Sequence, residues 1–341
     1  MSGVLGTARC ALALAGISGW AGGLSAARGQ ELYVANIGGD SVTVYARGAS
    51  GDAPPLRTLA GPLTGLLGPA GLAVDTVHDE LFVVNSSAAS ITVYPREASG
   101  DVAPIRTLQG PATGLNGPNG LVVDTAHDEL IVANYLGATL TVYARTASGD
   151  TAPIRTLEGA GTGLSTPVYV ALDVLHDEIV VTNQTVPSVT VYSRTASGDT
   201  PPLRTIQGAT TGLNHAQCVV VDTAHDELVV GNFNTPSVTV FARTAQGDTA
   251  PLRTLPGGNT GLNGPQGIVV DTANDELLVV NMWPNAVMAY ERTAEGDTAP
   301  LRTLAGASTG MANPTFLVLS GSLFRDGFES GDTLAWSSTT P

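Results

Sequence analysis

Lysine is absent from this chain of 341 residues. Fifteen Arg supply all its fixed positive charge against thirty Asp and Glu, and the formal net charge is −15. With no basic run to neutralise phosphates, the chain has no footing for nucleic acid, nor for an anionic membrane surface. Cysteine is nearly missing as well, with only Cys10 and Cys218. No apolar run approaches the ~20 residues that cross a bilayer comfortably. His-Glu-x-x-His and the Gly-rich phosphate loop are both absent. What is abundant is glycine (41) and proline (21) beside a hydrophobic fraction of 43%. That mixture describes short elements punctuated by turns, with enough apolar surface for a core.

The first residues stand apart. A weakly basic start with Arg9, an apolar Ala/Leu/Gly stretch to Leu24 and the small residues Ser25-Ala26-Ala27 fit a signal peptide over residues 1–29. Export to a secreted, periplasmic or cell-surface location follows, with no transmembrane anchor in the mature chain. Cys10 leaves with the leader, so Cys218 has no intrachain partner. Cys218 stands where Gly71, Gly120 and Gly267 stand in other copies of the repeat. A small buried thiol is its reading; His215, three residues earlier, is the only nearby base in sequence.

One string recurs six times: Glu31–Asn36, Glu80–Asn85, Glu129–Asn134, Glu178–Asn183, Glu227–Asn232 and Glu276–Asn281. Successive Asn residues are 49 apart, as 85 minus 36, without insertion or deletion. Each repeat holds four strand-like runs, in the third full copy Leu121–Asp124 (a), Glu129–Asn134 (b), Thr139–Arg145 (c) and Pro153–Leu157 (d). They are rich in β-branched residues and bounded by turn residues. Runs a and b are apolar on consecutive positions, as when both faces are buried; c alternates and d carries Arg155 and Thr156. Strands a and b are therefore inner and d outer, which is the blade of a propeller. The array starts at strand b. Near the other end, Asn313-Pro-Thr-Phe-Leu-Val-Leu-Ser320 occupies the register of strand a. The expectation is an all-β, six-bladed propeller over residues 30–322, each blade four-stranded, its ring closed by the C-terminal strand joining the N-terminal blade. Closure hides the edges that invite aggregation, and the expected state is a monomer.

Gly117-Pro-Asn-Gly-Leu-Val-Val-Asp124 followed by Asp128-Glu-Leu-Ile-Val-Ala-Asn134 resembles the NHL repeat. The Val-Ala-Asn ending is also similar to the YVTN repeat of surface-layer proteins. The resemblance spans about residues 30–320 and implies the propeller fold. For function it implies either a binder or scaffold, or a metal-dependent lactonase of the senescence-marker-protein type, whose metal is held by carboxylates and amides at the channel mouth. Here the equivalent mouth positions hold no Glu, and Asp40 is the single acid of the b–c loops. The residues thus favour an extracellular, non-enzymatic binding or scaffold module, with no catalytic residues and no resident metal. The alternative is a lactonase-like hydrolase or lyase.

In a propeller the d–a and b–c loops share one face, the bowl, and the a–b and c–d turns share the other. The six Asn that end strand b fit local backbone bonding better than a ligand, since every blade repeats the same turn. Residues that vary between blades are the better candidates: Asn119, Tyr135, Tyr169, Gln217, Phe233, Gln266 and Trp283. These aromatic and amide groups around a bowl suit a carbohydrate, or a protein or peptide. The turn face reads as acidic: Asp124, Asp128, Glu129 and Asp150 against Arg145 and Arg155 in one copy. Such pairs either cap turns and hold Arg or take Ca²⁺. His78, His127, His176 and His225 fall in equivalent a–b turns. A tail, residues 323–341, lies outside the repeat and resembles an Asp-Gly-Phe-Glu-Ser-Gly-Asp ending of secreted bacterial proteins.

Overall fold

Residues 30–320 are described by a computed structural model; the expected signal peptide and the tail lie outside them. Each β-branched run becomes a strand, and each blade is four antiparallel strands. In blade 3 they run Pro118–Asp124, Glu129–Asn134, Thr139–Ala144 and Arg155–Leu157, in that order across the sheet. The other inner strands are Pro69–Asp75, Pro167–Asp173, Ala216–Asp222, Pro265–Asp271 and, for blade 1, Pro314–Ser320. That last strand lies antiparallel to Glu31–Asn36, with Leu319 opposite Leu32 and Leu317 opposite Val34. The six-bladed ring is closed as the register of residues 313–320 requires. Glu31 N–H donates to Ser320 Oγ at the seam, at 3.1 Å.

The core lies between blades. One cluster joins Phe82, Ile91 and Leu108 of blade 2 to Leu121, Leu130 and Tyr143 of blade 3. Burying each such side chain contributes roughly 1.5–3 kcal/mol. This is why the inner runs are apolar on consecutive positions: each sheet is covered on both faces. Tyr143 adds a polar anchor, its buried hydroxyl donating to Thr113 O at 2.6 Å.

One expectation needs correction. Asp150, counted above with the acids of the turn face, does not stay beside the a–b turns. Instead, residues 148–150 run along the outer strand of the preceding blade, Arg106–Gln109. Gly149 N–H donates to Thr107 O at 2.7 Å, and Gln109 N–H donates to Gly149 O at 3.0 Å. Asp150 Oδ1 then accepts the N–H of Ala112, at 2.7 Å, in the d–a loop. This clasp covers an otherwise bare strand edge. It recurs in every blade, including Asp52 of blade 1 on Ser308 of blade 6 at 2.6 Å. Gly110 (φ 139°) is needed beneath it, because a Cβ there would lie 2.4 Å from the Asp150 carboxyl.

Candidate functional site

The turn face is an arginine–carboxylate lattice. Glu129 begins its strand at that end of the blade and receives Arg155 from the outer strand of its own blade, at 2.5 and 2.6 Å. Arg194 of blade 4 reaches the same carboxylate at 3.2 Å. Arg145 likewise ties blade 3 to Glu80 of blade 2 at 2.6 Å. Across the seam, Arg47 of blade 1 meets Asp271 and Glu276 of blade 6, both at 2.5 Å. Arg is required for this geometry, since its planar fork serves two carboxylates at once. The a–b histidines belong to the turns: His127 Nδ1 lies 2.8 Å from Asp124 Oδ2, and Asn274 makes the equivalent bond to Asp271 at 3.0 Å. The paired carboxylates considered for Ca²⁺ hold Arg and turn N–H groups here. Among the described residues no group of three or more His, Cys, Asp or Glu is placed to hold a metal ion.

At the other end of the strands, the six Asn are fully buried. Asn134 shows their work: Nδ2 donates to Thr141 Oγ1 at 2.9 Å, and Oδ1 accepts the N–H of Asn116 at 3.1 Å. They fasten the d–a loops and, being fully buried, present no group to a ligand. Just inside them each inner strand carries a β-bulge, seen as a register shift between Ala216 and Cys218 and between Pro265 and Gly267. A bulge re-aims its side chain. It brings Gln217 and Gln266 together, Gln217 Nε2 donating to Gln266 Oε1 at 2.6 Å. Gln184 Nε2 donates in turn to Gln217 Oε1 at 2.9 Å. This amide chain spans three blades, and both bulge residues are less than a tenth exposed, at 8% and 9%.

Tyr169 goes elsewhere. Its ring stacks on Phe316, with centroids 4.8 Å apart and planes at 26°. The two residues come from blades 4 and 1, opposite one another in a ring of six, so the pair bridges the axis. An axial cavity of about 300 Å³ touches both, lined otherwise by apolar side chains of the inner strands such as Val74, Val123 and Val270. Burial pushes the Tyr169 phenol far above its usual range. Cys218, 1% exposed, is pushed up to about 12 by the same cause, so it is a packed thiol and no nucleophile at neutral pH.

The remaining aromatics form a patch on the bowl face. Trp283 is 58% exposed. Phe233, half-buried, lies 6.3 Å from it between ring centroids, and the His215 ring meets Phe233 edge-on at 5.6 Å. His215 occupies a left-handed position (φ 60°) that Gly117 and Gly264 fill in other blades. Burial lowers its affinity for a proton. Its role here was missed by the sequence reading, which set it beside Cys218; the available signal was a bulky residue where other blades have glycine. Asn119 and Tyr135 are half-buried on blade 3, across the ring from Trp283. The seven candidates thus divide: Phe233 and Trp283 meet, Gln217 and Gln266 bind each other, Tyr169 seals the axis, and Asn119 and Tyr135 stand apart.

Charge is segregated between the faces. The twelve Arg among the described residues all begin an outer strand or follow a third strand, which puts them at the turn face. The bowl side has none. It does carry Asp40 and the six clasp Asp, whose carboxylates cap loop N–H groups and remain exposed. The acidity assigned to the turn face is therefore largely offset by Arg there, and Asp150 counts toward the bowl.

No protein-family model matches the chain, and no curated protein matches it. Solved structures do. A chain of the nidogen/laminin complex superposes with a TM-score of 0.63 at 15% identity, covering 86% of this chain and 99% of that one. A candidate 6-phosphogluconolactonase from Bacteroides uniformis gives 0.56 at 16% identity, over 85% and 84%. Another from Bacteroides fragilis gives 0.56 at 15%, over 82% and 80%. At such identities the likeness is one of fold, and what it establishes is that this chain is a six-bladed propeller of four-stranded blades.

Proposed function

We propose that the chain is an extracellular binding or scaffold propeller of the NHL/YVTN kind, a monomer that takes a carbohydrate or protein ligand at its bowl. The observation that carries this reading is Trp283, 58% exposed beside Phe233 on the bowl face, where the candidate amides Gln217 and Gln266 are spent on each other. Two aromatic rings on a closed, rigid ring of blades lose little rotamer entropy when they bind. Exposed tryptophan is also the residue type most enriched among binding hot spots. The nidogen/laminin neighbour comes from a protein–protein complex, which is in keeping with this reading. A glycan and protein array tests it. A ligand should emerge whose affinity falls by roughly tenfold or more in Trp283→Ala with Phe233→Ala, as for a hot-spot pair. A ligand indifferent to both changes would move the site elsewhere.

The second reading is a lactonase-like enzyme, favoured by the two Bacteroides neighbours. A tightly held divalent ion at the channel mouth, together with lactone turnover, would establish it over the first.

A further inference from the structure

We propose that the partner taken at the bowl is a basic polypeptide segment, its Arg or Lys side chains held over Trp283 and Phe233 and drawn in by the carboxylates of Asp248 and Asp297. This rests on the bowl reading above and names its partner.

Two neighbouring loops build the surface. The loop at residues 208–215 has Asp248 at its outer end, where Oδ1 accepts the N–H of Thr210 at 2.7 Å, and His215 at its inner end. The next loop, residues 257–264, has Asp297 at its outer end, bonded to Asn259 N–H at 2.7 Å. Its inner end is Gly264, where a Cβ would touch Trp283 at 2.8 Å and Phe233 at 3.2 Å. Each loop thus sets a carboxylate at the rim and an aromatic ring toward the bowl. The hydroxyl and N–H of Thr210 lower Asp248 below its usual value. No Arg stands on this side to neutralise the two carboxylates, whereas on the turn face Arg meets carboxylates in every blade.

The chemistry of a partner follows by complement. An anionic ligand meets only like charge. A neutral sugar finds few pre-set amides here: Gln217 and Gln266 are spent on each other and Asn232 and Asn281 on their loops, which leaves the exposed Asn234 and Asn263, and it gains nothing from the net charge of the carboxylates. A cation gains twice, from the faces of Trp and Phe and from the field of the capped Asp groups. Arginine fits best, because its planar fork both stacks on rings and pairs with carboxylates.

Fluorescence anisotropy on the full chain tests this with three labelled peptides, built of Gly-Ser-Arg, Gly-Ser-Lys and Gly-Ser-Glu repeats. The Arg peptide should bind, more tightly than the Lys form and less tightly in high salt, and the Glu form should not bind. Trp283→Ala should weaken the Arg peptide by about tenfold. Asp248→Asn with Asp297→Asn keeps the oxygens that accept the loop N–H groups and should weaken it by about threefold or more, with unchanged thermal melting. Asp177→Asn on the turn face should change nothing. Equal binding of the Glu form, or Arg-peptide binding that follows Asp177 and ignores Trp283, overturns the proposal. If a glycan binds through Trp283 and the Arg peptide does not, the bowl stands and the basic partner falls. If no ligand depends on Trp283, both fall.

Discussion

Consider Glu178→Gln. The carboxylate is 9% exposed and accepts two bonds from Arg204, at 2.5 and 2.7 Å, and one from Arg243 of the next blade, at 3.3 Å. Glutamine keeps the shape and one acceptor but leaves two buried guanidiniums facing a neutral group. Removing one partner of a buried ion pair costs about 3–5 kcal/mol, and the retained acceptor sets the expectation at about 3 kcal/mol. For a domain of this size that lowers the melting temperature by about 6 °C. The pH dependence separates charge from shape. The Arg204 hydrogen bonds hold the Glu178 carboxyl below its ordinary value of 4.5. A lowered folded-state value means that the charge stabilises fully above the ordinary value, and that this contribution is lost as pH falls through the lowered one. Melting of both proteins by circular dichroism from neutral to strongly acidic pH should therefore show the full gap at neutrality, closing below about pH 4.5. A gap of the same size throughout would mean that glutamine fails by packing alone and that the charge network is idle. Glu31, Glu129 and Glu227 are lowered in the same sense, again by their Arg hydrogen bonds first. Wild type should thus lose stability over this acidic window by several such increments.

Deleting residues from Asn313 onward bares the edge of Glu31–Asn36 and should give oligomers by size-exclusion chromatography with light scattering, whereas replacing only residues 323–341 should leave the melt unchanged; a truncated, cooperatively melting monomer contradicts the closure. Gly257→Ala puts a Cβ 2.4 Å from Asp297 Oδ1 at φ 111° and should cost about 1–3 kcal/mol in urea unfolding, while Gly258→Ala, with nothing within 4 Å, should be harmless. Phe316→Ala removes the partner of Tyr169 and should cost about 3–5 kcal/mol; a loss under about 1 kcal/mol would show that the axial stack contributes little.

The sequence made the ring legible because the repeat is exact in length and the split blade shows at both ends of the array. Local turn chemistry was legible too: Asn134 and His127 do what their neighbours in sequence require. What failed was anything that depends on the blade next door. The Gly149-Asp150 pair reads as a turn, and nothing nearby in sequence says that its carboxylate will cap a loop 38 residues earlier. Gln217 and Gln266 look like ligand amides until residues 49 apart are seen to share a hydrogen bond. Tyr169 looks like a residue of the mouth, yet an aromatic on a bulge at the narrow axis packs on whatever stands opposite, here Phe316. Varying positions identified the bowl, but variation alone could not separate groups that face solvent from groups that satisfy one another.

The seam of blade 1 also sets a schedule for synthesis. Glu31 and the Ser320 that receives its N–H are 289 residues apart. At about 5–20 residues per second, roughly 15–60 s pass between making the first strand and making the one that covers its edge. During that interval the first blade is a three-stranded sheet with an open side, while every later blade is made whole. The earliest segment of the ring is thus the last to be sheltered, and a chaperone acting on this protein would find its longest-lived target at Glu31–Asn36.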